Sequence, residues 1–172
     1  MPMIISSLFS LVLIVGLTDS PRPTASVGAV EGVECMPASA AIKVNLHIEL
    51  SNQSQGALLL GRVSVAKERF YRLDSNGTPV VIDTSFGPDL VVGQDMFDSF
   101  DDIKEERLAA GVTKTFTFSH IILLMPQEVI LHGAAREILV SFDIANVEKS
   151  GHASEYWTAP VSIGIPKNCT LQ

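Results

Sequence analysis

Ile42, Val44, Leu46, Ile48 and Leu50 alternate without a break with Lys43, Asn45, His47 and Glu49. A period of two places all five apolar side chains on one face of an extended strand, which no helix can do. The alternation returns at Val112, Lys114, Phe116 and Phe118, and again at Ile138, Val140, Phe142 and Ile144 against Leu139, Ser141 and Asp143. Between these lie a polar turn at 51–56 and a more apolar strand from Ala57 to Val65, carried by Leu58, Leu59 and Leu60. Arg69 to Leu73 and Pro79 to Asp83 then flank Asn76-Gly77, the dipeptide that most strongly marks a tight hairpin. A last strand runs from Tyr156 to Ile165, with Pro160 marking an edge or a bulge.

About seven short strands joined by Gly, Pro and Asn turns predict an all-β, immunoglobulin-like antiparallel β-sandwich, with a barrel as the alternative. One short amphipathic helix is expected between Gly93 and Leu108, where Met96, Phe100, Ile103 and Arg107 recur at three- and four-residue steps. At 172 residues, 47% apolar and only 18% charged, the chain suits one domain with a real core. A net charge of −7 without a Lys/Arg cluster argues against nucleic acid or an anionic membrane as partner, since both demand a basic face.

Ile4 to Leu17 carries no charge. It falls short of the about 20 apolar residues that a membrane helix needs and has the length of a signal-peptide core. Its one departure is Met1-Pro2-Met3, which supplies no Lys or Arg. Val27-Gly28-Ala29 offers small residues at the selective positions, so cleavage is expected after Ala29, with Ala25 as the alternative. The expected division is a signal peptide, 1–29, and a β-sandwich domain, 30–172; an N-terminal helix or membrane anchor is the competing reading. A secreted, extracellular chain meets an oxidising compartment, so Cys35 and Cys169 are expected to form a disulfide that staples the domain's ends, against the alternative of two free buried thiols. Three Asn-x-Ser/Thr triplets, at Asn52, Asn76 and Asn168, mark candidate glycosylation sites. Asn76 is the best placed, in an exposed turn, and Asn168 the worst, beside a bonded cysteine.

No zinc helix, nucleophile elbow, phosphate-binding glycine loop or dinucleotide fingerprint occurs, and no Cys/His spacing fits a metal. The expectation is a non-enzymatic chain without catalytic residues, metal or cofactor. A discontinuous triad would escape such a search and stands as the third alternative. The densest feature is acidic: Asp95, Asp98, Asp101, Asp102, Glu105 and Glu106 face a single base, Lys104. A calcium loop would place acids at alternate positions, and Phe97, Phe100 and Ile103 break that order. The six carboxylates are therefore read as a solvated face whose functional version is a docking surface for a basic protein partner, with the loop at 85–93 beside it. The single Trp, Trp157, is expected in the core, with a sugar-stacking platform as the alternative.

Taken in order, several segments resemble the N-terminal propeptide domain of the deuterolysin family, which includes the fungal peptidyl-Lys metalloendopeptidases. The resemblance rests on Ile42 through Ser54, on Phe70-Tyr71-Arg72-Leu73-Asp74-Ser75-Asn76-Gly77-Thr78-Pro79-Val80, on Leu108 through Phe116 and on Thr158-Ala159-Pro160-Val161-Ser162-Ile163, and it spans residues 41–165. In that family the propeptide precedes a zinc protease, whereas this chain reaches Gln172 without a zinc motif. The resemblance thus implies a propeptide-like binding domain that inhibits a secreted metalloprotease or helps one fold. An extracellular structural or adhesion module that binds glycans or itself is the alternative.

Overall fold

The computed structural model describes residues 21–36, 41–82, 100–124 and 136–169. Its strands are β1 (Thr24–Met36), β2 (Ala41–Ser51), β3 (Leu58–Leu60), β4 (Arg62–Leu73), β5 (Pro79–Val81), β6 (Glu106–Leu108), β7 (Thr113–Leu123), β8 (Glu137–Val147), β9 (Ala153–Trp157) and β10 (Val161–Gly164). All pairings are antiparallel. One sheet runs β1-β2-β7 and a second runs β10-β8-β4-β5, with β9 beside β10 on the same edge of β8; β3 and β6 form a two-stranded ribbon.

The two larger sheets bury one core between them, so the chain is an all-β sandwich. From β2 come Ile42, Val44, Leu46, Ile48 and Leu50, all with no exposed surface, and from β8 come Ile138, Val140, Phe142 and Ile144. Burying a side chain of this kind stabilises a fold by about 1.5–3 kcal/mol, and these two strands supply nine of the eighteen residues of the buried core cluster. Cys35, near the end of β1, is bonded to Cys169, whose Cα lies 5.3 Å away, and the bond closes the domain across 134 positions of sequence.

The expected leader boundary after Ala29 lies within β1, whose residues from Thr24 to Ala29 run beside β2 and whose Ala25 is part of the core. A domain that keeps its whole first strand begins no later than Thr24. Three expectations about the elements need correction. The helix expected over 93–108 is absent from the described part of that range, which holds one 3-10 turn, Phe100–Asp102, followed by β6. Pairing with β3 wins there because it turns Leu108 into the core while Phe100 stays half exposed. The apolar run 57–65 is also two strands, broken at Gly61. A Cβ at Gly61 would overlap the Val147 carbonyl oxygen, so only glycine lets the chain pass this close to β8. Likewise, Pro160 splits the closing segment into β9 and β10.

Candidate functional site

Among the described residues, the most unusual polar group lies on the outer face of the five-stranded sheet. β8 is paired along both edges, and its outward side chains Ser141, Asp143 and Ala145 are nevertheless fully buried. The cover comes from the neighbouring strands. Arg69 on β4 reaches the Trp157 ring on β9, with its guanidinium carbon 4.0 Å from the ring centre. Because β4 and β9 lie on opposite edges of β8, this cation–π contact crosses above Ser141 and Asp143. The Tyr71 and Ser141 hydroxyls, 3.0 Å apart, continue the polar strip along the sheet.

Beneath this cover, neither Asp143 carboxylate oxygen has a hydrogen-bond partner or measurable contact with solvent. Burial pushes the carboxyl above its ordinary range and the Glu155 carboxylate adds to the effect. Lys67, Arg69 and the Tyr156 backbone N–H pull the other way without overcoming the first two. An acceptor group held away from water is costly, and the Tyr156 N–H and the two nearby cations offset that cost only in part, so Asp143 is an under-satisfied position on a rigid central strand.

The acidic segment is more committed than its composition suggests. Asp95 and Asp98 lie outside the described residues, and Asp101 belongs to the 3-10 turn that ends at the exposed Asp102. Glu105 accepts a hydrogen bond from the Lys149 backbone N–H at 2.7 Å, and Glu106 pairs with the Lys114 ammonium. The segment is pinned by the buried Ile103 and Leu108, leaving Phe100, half exposed, beside Asp102. Residues 85–93 also lie outside the described residues.

The acceptor asparagines separate by environment. Asn76 is exposed in a turn organised by Asp74, whose Oδ1 accepts the Asn76 and Thr78 backbone N–H groups at 2.8 Å each. Asn168 is exposed next to the bonded Cys169. Asn52, expected as an acceptor, is fully buried, and its Nδ2 donates to the Gly56 and Leu108 carbonyls at 2.8 and 2.9 Å. Its Oδ1 accepts from the Ser54 N–H and hydroxyl. With both donors spent and no exposed surface, Asn52 is a structural clamp, which withdraws it as a glycan site in the folded domain.

Among the histidines, His47 sits on the wet face of β2 with Nε2 3.4 Å from Glu31. His120 points between the sheets, its Nε2 3.2 Å from the Glu68 carboxylate and its ring edge-on to Phe142. No group of three or more His, Cys, Asp or Glu among the described residues is arranged to hold a metal ion. Trp157, expected in the core, lies instead on the outer face: Tyr156 takes the inward position opposite Ile144, so its neighbour must point out. Asp143 had one sequence signal, being the only charged residue inside the otherwise uncharged run from Ile138 to Val147.

No protein-family model matches the chain, and no curated protein matches it. Among solved structures, it is similar to a Northeast Structural Genomics Consortium target designated SoR45, at 12% identity and a TM-score of 0.37 over 88% of this chain and 91% of that one. A Bordetella pertussis protein provisionally designated ApaA gives 12% identity and a TM-score of 0.35 over 87% and 99% of the two chains. Bacteroides uniformis β-glucuronidase 2, covalently bound to cyclophellitol-6-carboxylate aziridine, gives 16% and 0.26, over 86% of this chain and 15% of the enzyme. Likeness this distant assigns neither family nor activity.

Proposed function

We propose that the chain is an exported, non-catalytic domain that binds another protein. The partner favoured by its resemblance to deuterolysin-family propeptides is a secreted metalloprotease, which it would inhibit or help to fold. The observation that carries this reading is Phe100, a half-exposed aromatic fixed next to Asp102 on a segment anchored by Ile103 and Leu108. An aromatic anchor beside carboxylates has the composition of an interface hot spot that meets a basic, partly apolar surface. The Cys35–Cys169 bond supports export, because such bonds persist in oxidising compartments.

Mixing the purified chain with a panel of secreted metalloproteases tests the proposal. Inhibition or a stable complex at micromolar concentration is expected, weakened about 30-fold by Phe100→Ala, the size of a typical aromatic hot spot. Neither inhibition nor complex, or a complex indifferent to both Phe100→Ala and Asp102→Ala, overturns it. A second reading, an extracellular module that binds glycans, is favoured by the outward position of Trp157. A glycan array with a Trp157→Ala control separates the two.

A further inference from the structure

The roof over Asp143 includes one flexible cation, Arg69, and one aromatic ring, Trp157, and beneath it lie two carboxylate oxygens without a well-formed hydrogen bond, with only the Tyr156 backbone N–H close by. A contact between guanidinium and indole at a partly exposed site is weak enough to exchange for another partner of the same ring. Asp143 itself cannot move away, because β8 is hydrogen-bonded to β4 on one edge and to β9 on the other.

The charges around the site narrow what can enter. Asp143 and Glu155 are set against Lys67 and Arg69, two acids and two bases acting on the same spot. A cationic ligand would meet the bases and an anionic ligand the acids, so neither gains enough to offset its desolvation. A neutral molecule rich in hydroxyl groups meets no such barrier. Its O–H groups donate to the Asp143 oxygens and to exposed Glu155, and the apolar C–H face of a pyranose ring covers the indole.

We propose, on the basis of the second reading above, that the outer face around Trp157, Asp143 and Glu155 binds a neutral carbohydrate, whose ring replaces the Arg69 guanidinium on the indole and whose hydroxyls satisfy Asp143. Arg69 is thus a displaceable cover, Trp157 the platform and Asp143 the group that selects a hydroxyl donor.

Trp157 is the only Trp in the chain, so intrinsic fluorescence reports on this face alone. The purified full chain is titrated with cellohexaose, xylohexaose, mannohexaose and chitohexaose, and in parallel with cationic glucosamine and anionic galacturonate oligomers. A saturable change at millimolar or lower concentration is expected with at least one neutral sugar and with neither charged series. Asp143→Asn, checked for folding by its thermal transition, is expected to bind at least about tenfold more weakly, because one of the two acceptor oxygens is replaced by an NH2 donor. Arg69→Gln, which leaves Asp143 in place, is expected to bind severalfold more tightly because the competitor for the indole is gone. The proposal is overturned if no neutral sugar gives a saturable change, if charged oligomers bind as well, if Asp143→Asn binds like the parent, or if Arg69→Gln fails to tighten binding. Each of those outcomes leaves the metalloprotease trial untouched, so failure of the sugar site and failure of protein binding are separate results.

Discussion

Replacing Asn52 by Ala removes four side-chain hydrogen bonds at once, and the structure lets their cost be worked out partner by partner. Two of the groups left behind, the Ser54 hydroxyl and the Gly56 carbonyl, are near the surface and recover water. The Leu108 carbonyl is different: its bond to Asn52 Nδ2 is buried, and no water replaces the donor. An unsatisfied buried acceptor costs about 1–3 kcal/mol, and the two solvent-recoverable bonds about 1 kcal/mol each, so the expected loss is about 3–5 kcal/mol. Asn52→Asp keeps the shape but sets a carboxylate oxygen against the Gly56 and Leu108 carbonyls. Burial and those dipoles hold the new carboxyl above the ordinary Asp value of about 3.9, so the penalty is full at neutral pH and shrinks as the group protonates. Urea unfolding with the disulfide intact, at neutral pH and near pH 4, measures both variants through their midpoints at constant m. An Ala variant within about 0.5 kcal/mol of the parent, the range of ordinary surface substitutions, would refute the clamp, as would an Asp variant whose penalty does not fall with acid.

Asp143→Asn should stabilise the domain at neutral pH. A carboxyl whose folded pKa is raised favours the protonated fold, so the parent loses stability as pH climbs from about 3.9 through the folded value, and the Asn variant lacks that loss. Urea midpoints from acid to neutral pH should show a gap that opens upward, and a constant gap would contradict it. Reducing Cys35–Cys169 frees a loop spanning 134 positions, worth up to about 5 kcal/mol in the chain-entropy account, read as a lower urea midpoint in reductant. Gly61→Ala should cost about 1–3 kcal/mol, since its methyl overlaps the Val147 carbonyl and β3 or β8 must shift; a neutral result would show that the approach is not tight.

How much of this was legible in the chain follows from how many neighbours each strand needs before its pattern makes sense. β2 is a middle strand with one dry and one wet face, so its alternation is unbroken and its sequence alone places Ile42 through Leu50 inward. β1 escaped because its register with β2 shifts twice, between Val27 and Ala29 and between Glu31 and Glu34. The shifts move its inward residues to Ala25, Val27, Val30, Val33 and Cys35, steps of two and three that mimic no regular element. Gly32, with φ +57, belongs to the second shift, and this left-handed backbone is what favours glycine there. The pairing of Cys35 with Cys169 was readable because only two cysteines exist. The outer face of β8 was not. Ser141 and Asp143 read as a wet face, and what dries them is Arg69 and Trp157, which come from strands on either side and far apart in sequence.

The central proposal is an exported domain that begins with β1 and is closed by the Cys35–Cys169 bond. Intact mass of the chain recovered from the medium of expressing cells, after alkylation without reductant, tests this most directly. The account predicts an N-terminus at or before Thr24, no alkylated cysteine, and an unmodified Asn52 on peptide mapping. A chain that starts at Val30, or that carries two alkylated thiols at Cys35 and Cys169, would contradict it.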